Sequence, residues 1–257
     1  TREADETLCR DDGAWASVKA SASGEADVPI DSSKYRTRRP VKVMIGPGAE
    51  PTEVEPNDKP EEATPISVPG AINGRIDHPG DVDLFRFEAK AGQTYVLETL
   101  ASRRSSPADT KIEVLHPDGS PVERVQLRAV RDSAITFRGF DANAGGGRLL
   151  NWEEMDLNQY LYLSGEVVKL FRTPRGPDSE YDFYTINGRR RCYFDTTATA
   201  HALDEHCYIV EPHKAGEKLP PNGLPVFTIY YANDDDPDRK LGADSHLLFT
   251  APADGPY

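Results

Sequence analysis

The feature that most constrains the fold is a strict two-residue alternation inside turn-punctuated sequence between Pro51 and Leu127. In "DLFRFEA", Leu84, Arg86 and Glu88 alternate with Phe85, Phe87 and Ala89, the period that places neighbouring side chains on opposite faces of a strand. "QTYVLETLA" follows after an Ala91-Gly92 turn, and "AINGRID" reads as a short strand with a glycine break. "TKIEVLHPDGSPVERVQ" has the form of a hairpin: Ile112, Val114 and His116 share a parity and Pro-Asp-Gly supplies the turn. About five strands with turn signals roughly every 8–12 residues predict an all-β fold, an antiparallel sandwich or jelly roll.

Composition agrees. The 257 residues are 37% hydrophobic and include 21 Pro and 20 Gly, which suits short strands joined by many turns better than a helical enzyme. The net charge of −13 argues against a nucleic-acid partner, because phosphates would be repelled before contact. The local basic runs, Arg103-Arg104 and Arg189-Arg190-Arg191, read as solvated faces. No apolar run is long enough to span a bilayer. Because the chain opens on Thr1 with no signal peptide, a mature form or a fragment is expected.

Outside the regular stretch the pattern thins. Residues 1–48 hold "WASVKASA" and "RPVKVMIG", two alternating runs expected to be the tail of a preceding β domain or strands that pair with the sandwich after them. Residues 49–127 form the expected sandwich, and 128–257 a second β-rich module with a long insertion. Within the latter, "YLYLSGEVVKLFR" predicts a hairpin around Ser164-Gly165, and "GLPVFTIYYAN" another strand. "NWEEMDLNQY" has the elements of a short helix, with Asn151 as cap and Glu154 at the capping-box position. The end of the chain repeats an earlier stretch: set without gaps, "GADSHLLFTAPADGPY" aligns Gly242, Phe249, Ala251, Ala253 and Tyr257 with Gly80, Phe87, Ala89, Ala91 and Tyr95 of "GDVDLFRFEAKAGQTY". An Asn-Asp pair precedes each copy, Asn57-Asp58 and Asn233-Asp234. The second copy stops where its next strand should start, so another segment is expected to complete it, or the natural protein to continue.

Cys192 and Cys207 each open a strand-like run, "CYF" and "CYIV". Paired antiparallel, these runs would bring the two within disulfide reach; the alternative is two buried thiols. Cys9 is left over, either free or paired outside the chain. No CxxC or CxxCH occurs.

"EVEPND", "INGRID", "GDVDLFRFEAKAGQTYVLETLA" and "KIEVLHPDGSPV" together resemble the bacterial pre-peptidase C-terminal domain, which accompanies secreted proteases and large surface proteins, including those of planctomycete type. The collagen-binding domains of clostridial collagenases are similar in fold. The resemblance covers Thr52 to Leu127 well and Tyr231 to Tyr257 in part. It implies a jelly-roll β-sandwich, an extracellular or cell-surface location, and an ancillary rather than catalytic role: adhesion to a protein or glycan of matrix or cell surface, or structural support. A subunit of an extracellular filament, completed by other copies of itself, and the accessory region of a secreted hydrolase are the alternatives.

The resemblance also implies a cation. In an extended segment Glu53, Glu55 and Asn57 share a face, with Asp58 at the adjoining turn, and Asp81 and Asp83 share another. Together they offer the six to eight hard oxygens that Ca²⁺ takes; in the collagenase relatives the equivalent acidic segment holds calcium. The alternative is a solvated linker. At the second copy, Asn233, Asp234, Asp236 and Asp244 form a further candidate cluster, without the Glu-x-Glu and without the glycine and terminal glutamate of an EF-hand.

Catalytic motifs are few. No GxSxG, HExxH or P-loop occurs. "HALDEH" holds His201 and His206 around Asp204 and Glu205, but the spacing is wrong for one helix face, and an exposed loop is expected. Glu153, Glu154 and Asp156 read as a solvated helix end rather than a glycosidase pair.

Overall fold

The computed structural model describes residues 24–257 except 32, 35, 37, 39, 46–49, 105, 177 and 237–239. "WASVKASA" and Cys9 lie outside the described residues. The chain is all-β and chiefly antiparallel. Among the described residues there is no α-helix, only single 3-10 turns at Pro60–Glu62, Ser102–Arg104 and Trp152–Glu154. Two compact units make up the chain, Thr1–Phe87 and Glu88–Tyr257.

Unit 1 has little regular structure. Strands β1 (Gly24–Asp27) and β2 (Lys42–Ile45) pair antiparallel, and Lys42 Nζ donates to Glu25 Oε2 at 2.7 Å across them. Strands β3 (Thr64–Pro65) and β4 (Phe85–Arg86) pair in parallel. "AINGRID" contributes a single bridge, Asn73 to Thr52, rather than a strand. Two sets of backbone bonds tie 51–58 to its neighbours: Glu53 N donates to Asn73 O, and Leu84 N to Asn57 O. These bonds set the acidic segment beside both "INGRID" and "GDVD".

Unit 2 is built on a seven-stranded antiparallel sheet. In chain order its strands are β8 (Glu123–Ala134), β9 (Gly146–Gly147), β10 (Tyr160–Leu163), β11 (Glu166–Arg172), β12 (Tyr181–Phe183), β15 (His206–Lys214) and β16 (Val226–Tyr230). Their spatial order is β16-β8-β15-β10-β11-β12-β9. The β10–β11 hairpin turns at Ser164 and Gly165, both at positive φ, with Leu163 opposite Glu166 as the sequence pattern predicts. Alternation sorts the side chains into two faces. Leu161, Leu163, Val168, Leu170, Cys207 and Ile209 pack with Ile135, Tyr181 and Phe183 on one. Val125, Leu127, Ala129, Val167, Val210 and Ile229 pack with Tyr162, Tyr208 and Phe227 on the other. Each such side chain, fully buried, contributes on the order of 1.5–3 kcal/mol. Strands β13 (Thr185–Ile186) and β14 (Arg189–Arg190) form a small hairpin beside this sheet's loops.

The remaining strands of unit 2 settle where the end segment goes. Strands β5 (Glu88–Ala89), β6 (Thr94–Glu98) and β7 (Ile112–Glu113) pair with β19 (Gly255–Pro256), β18 (His246–Thr250) and β17 (Ala232–Asn233) respectively. The segment that repeats "FEAKAGQTY" is thus its partner: Phe249 sits opposite Tyr95 and stacks on it, ring centroids 6.2 Å apart. Leu247 and Phe249 are fully buried, while Val96 and Leu248, opposite each other, face outward. The Pro-Asp-Gly turn forms as expected, with Gly119 N donating to His116 O at 2.8 Å.

Two expectations are corrected. "NWEEMDLNQY" is not a helix: Asn151 takes a left-handed conformation (φ 56°), its side chain caps nothing, and one 3-10 turn follows. Cys192 and Cys207 are not joined to each other. "CYF" is not a strand, since Phe194 and Asp195 turn the chain at positive φ. Cys207 instead faces the core from β15, whose partners are β8 and β10. Burial pushes its thiol up to about 12.

Leu247→Ala, on the buried face of β18, should cost about 2–5 kcal/mol in denaturant unfolding, whereas Leu248→Ala on the outer face should cost a small fraction of that. Equal costs would refute the register of this pair.

Candidate metal centre

In unit 1 the acidic residues singled out in the sequence do meet. Carboxylate oxygens of Glu53, Glu55 and Asp83 lie within 4.8 Å of one another, and Asp58, His78 and Asp81 form a second such group. Asn57, fully buried, joins the first: its N–H donates to Glu55 Oε2 at 3.0 Å and its Nδ2 to Glu53 Oε2 at 3.3 Å. Arg75 N donates to Glu53 Oε1. In the second group, Asp58 Oδ1 accepts from Val82 N at 3.2 Å and Asp81 Oδ2 from Asp77 N. His78 Nε2 stands 3.7 Å from Asp81 Oδ1.

Three observations bear on what the first group can hold. A carboxylate oxygen of Glu53 and one of Asp83 lie within 4.8 Å of each other. Two ionised carboxylates are both acceptors and repel at such a distance, which favours sharing a proton or a cation. Burial, then the charge of Glu53, then Asp81 and Glu55, push the Asp83 carboxyl up to about 6. Burial likewise raises Glu55, with Asp81, Glu53 and Asp58 adding to it against the opposing Asn57 N–H. Second, Asn57 Oδ1 and Asp83 Oδ1 are buried with no hydrogen-bond partner, a cost unless something fills the place of a donor. Third, a Cβ on Gly74 would come 2.7 Å from Asp83 Oδ2 and 3.2 Å from Glu53 Oε2, so a larger residue there would push these two carboxylates from their present positions. Hard, anionic oxygen donors of this kind fit Ca²⁺.

Sequence reasoning identified six residues here but missed Gly74, Arg75 and His78. Gly74 was legible only as a strand break. The signal for His78 was its place three residues before Asp81, in the tight turn closed by Asp81 N donating to His78 O.

The second cluster singled out in the sequence is differently employed. Asp244, fully buried, accepts from the N–H groups of Ala101, Ser102 and Arg103 at 2.7–3.0 Å and from Arg103 Nε at 2.7 Å. Burial alone would raise this carboxyl, but Arg103 and the three amides hold it below its usual range. Asp236 Oδ2 accepts from Lys240 N and Leu241 N. Asn233 bridges Asp195 O and His246 N, and Asp234 is exposed. Their oxygens answer backbone donors rather than converge on one point. Arg103, read as solvated, is the partner of Asp244; Arg190 is 1% exposed and His201 4%, so neither the solvated basic face nor the exposed "HALDEH" loop holds for those two residues. Glu153 and Glu154 are exposed, as expected.

Comparison of the chain with protein-family models, with curated proteins and with solved structures gives no match.

With divalent ions chelated, unit 1 should lose stability as pH rises from 3.8 through about 6, because a raised carboxyl favours folding only while protonated. Asp83→Asn should remove that loss in thermal melts across this range. Asp244→Ala leaves three amides without their acceptor and Arg103 with only Glu98 and Thr99 O, and should destabilise unit 2 by about 2–4 kcal/mol in urea titration.

Proposed function

We propose that the chain is a non-catalytic extracellular or cell-surface module of pre-peptidase C-terminal type, stabilised by Ca²⁺ and serving adhesion, binding or structural support within a larger protein. The observation that carries this reading is the convergence of Glu53, Glu55 and Asp83, with Asp83 Oδ1 buried and lacking a donor and Asn57 bonded to both glutamates. Carboxyls whose proton affinity is raised by burial and by neighbouring charge, as those of Asp83 and Glu55 are, are stabilised when a divalent cation replaces the proton. Glu53, Glu55, Asn57 and Asp83 would hold the ion, with Asp58 and Asp81 supplying further negative field. Its chemistry would be structural: it would neutralise repulsion and cross-link "EVEPND" and "GDVD", two motifs of the resemblance.

The non-catalytic part rests on the absence of a recognisable nucleophile motif in the sequence.

Thermal melting of the full chain with Ca²⁺ and with chelator tests the reading. Ca²⁺ at a hundred times its dissociation constant should add about 2.7 kcal/mol, a shift of several degrees. Glu53→Gln combined with Asp83→Asn should abolish the shift. A midpoint indifferent to Ca²⁺ in the wild type would overturn the proposal.

A further inference from the structure

A second cluster of ionisable groups lies buried in unit 2. Glu166, at the start of β11, is 1% exposed, and both its oxygens are engaged. Arg190 of β14 donates to Oε1 through Nε and to Oε2 through Nη2 at 2.9 Å. Thr199 N donates to Oε2 at 2.9 Å, and Cys192 Sγ reaches Oε1 at 3.5 Å. His201 closes the set: Nε2 lies 2.9 Å from Glu166 Oε2, and Nδ1 lies 2.8 Å from Glu205 Oε1. Glu205 Oε2 in turn accepts from Ala202 N at 2.9 Å.

The geometry assigns the protonation state. An ionised carboxylate only accepts, and a neutral imidazole has one N–H. Two ring nitrogens, each on a carboxylate, can both be bonded only when the ring is an imidazolium. Charges then balance, Glu166 and Glu205 against Arg190 and His201. Removing the ring proton sets one lone pair against a carboxylate and leaves an uncompensated negative charge in a buried place, a costly state. The titratable or charged groups around the ring are Glu166 of β11, Arg190 of β14, Cys192 just beyond it and Glu205 just before β15. Thr199 Oγ1 and the Phe140 ring complete the surroundings.

We propose that His201 is a pH-sensitive latch: as an imidazolium it fastens the 199–206 segment to Glu166 of β11 while its other nitrogen holds Glu205 within the segment, and loss of its proton releases that segment. Burial alone would lower the proton affinity of His201, but its bonds to Glu166 and Glu205 outweigh burial and raise it above 6.5. Burial would raise the two carboxyls, yet Arg190 and His201 for Glu166, and His201 and Ser164 for Glu205, hold both below 4.5. The sign is therefore fixed. The latch contributes fully below pH 6.5 and is lost as pH rises through the folded value, while its carboxylates stay ionised down into the acid range.

The test is a titration of the full-length wild-type chain by ring nitrogen NMR, from about pH 5 to 10. Hydrogen exchange at the amides of Thr199 and Ala202 is followed in parallel and corrected for intrinsic rates. At pH 6.5 both ring nitrogens of His201 should be protonated. Across its titration, protection of the two amides should fall about tenfold for each unit by which the folded value exceeds 6.5. Glu205→Gln, at a partly exposed position that should still fold, should lower the midpoint and move the loss of protection with it. A ring that is neutral at pH 6.5, or protection that does not change across the titration, would overturn the latch; the wild-type experiment decides this even if the variant is unstable.

Discussion

A carboxylate withdrawn from water must find donors or a cation, and in a chain of net charge −13 that demand shapes every buried acidic group. Asp244 is met by three backbone amides and Arg103, so it acts as a pin that fixes a loop. Glu166 is met by Arg190 and His201, two cations from separate segments, so it gathers β11, β14 and the run before β15 around itself. Glu53, Glu55 and Asp83 face mainly one another. The first two arrangements are closed within the chain. The third is short of positive charge, and that difference, rather than the number of acidic residues, is what the proposed Ca²⁺ site rests on.

Strand type was legible in the sequence wherever side-chain period and turn chemistry agreed. The β10–β11 hairpin and the Pro-Asp-Gly turn both combine strict alternation with residues suited to positive φ or to a tight turn, and both form as read. Pairing across long separations was less legible. The likeness of the end segment to "FEAKAGQTY" suggested a second copy, but like strands can also be neighbours: each carries an inward aromatic residue, and Tyr95 and Phe249 sit opposite and stack in one sheet. Periodicity reports which face a residue occupies, not which strand it meets. "AINGRID" and "CYF" failed for a local reason, since glycine at position 74 and the turn at Phe194 and Asp195 interrupt pairing before a ladder can form.

The acidic centre was legible because its ligands sit at alternate positions in two short runs. Gly74 was not, because its role is to be absent at the point where two carboxylates approach. The His201 cluster was hidden by composition. A run of three arginines and a segment reading His-Ala-Leu-Asp-Glu-His look solvent-exposed, and only the fold shows that Arg190 and His201 neutralise a glutamate 24 and 35 positions away. Buried ion pairs are poorly visible to any one-dimensional reading, because each half alone resembles surface.

The two centres respond to pH in opposite directions. If unit 1 holds Ca²⁺ as proposed, protons and the ion would compete for the same oxygens, so acid that protonates Asp83 near 6 would weaken the ion's hold. In unit 2 the proton on His201 is itself the stabilising cation, so acid down to the carboxylate range favours that fold. With calcium present, the range in which both would be at full strength lies above the titration of Asp83 and below that of His201. Without calcium the lower limit disappears as a maximum: unit 1 then prefers acid, because a proton is the only cation left to share. Calcium would therefore do more than add stability; it would reverse the sign of the pH dependence of unit 1, which a merely screening salt cannot do.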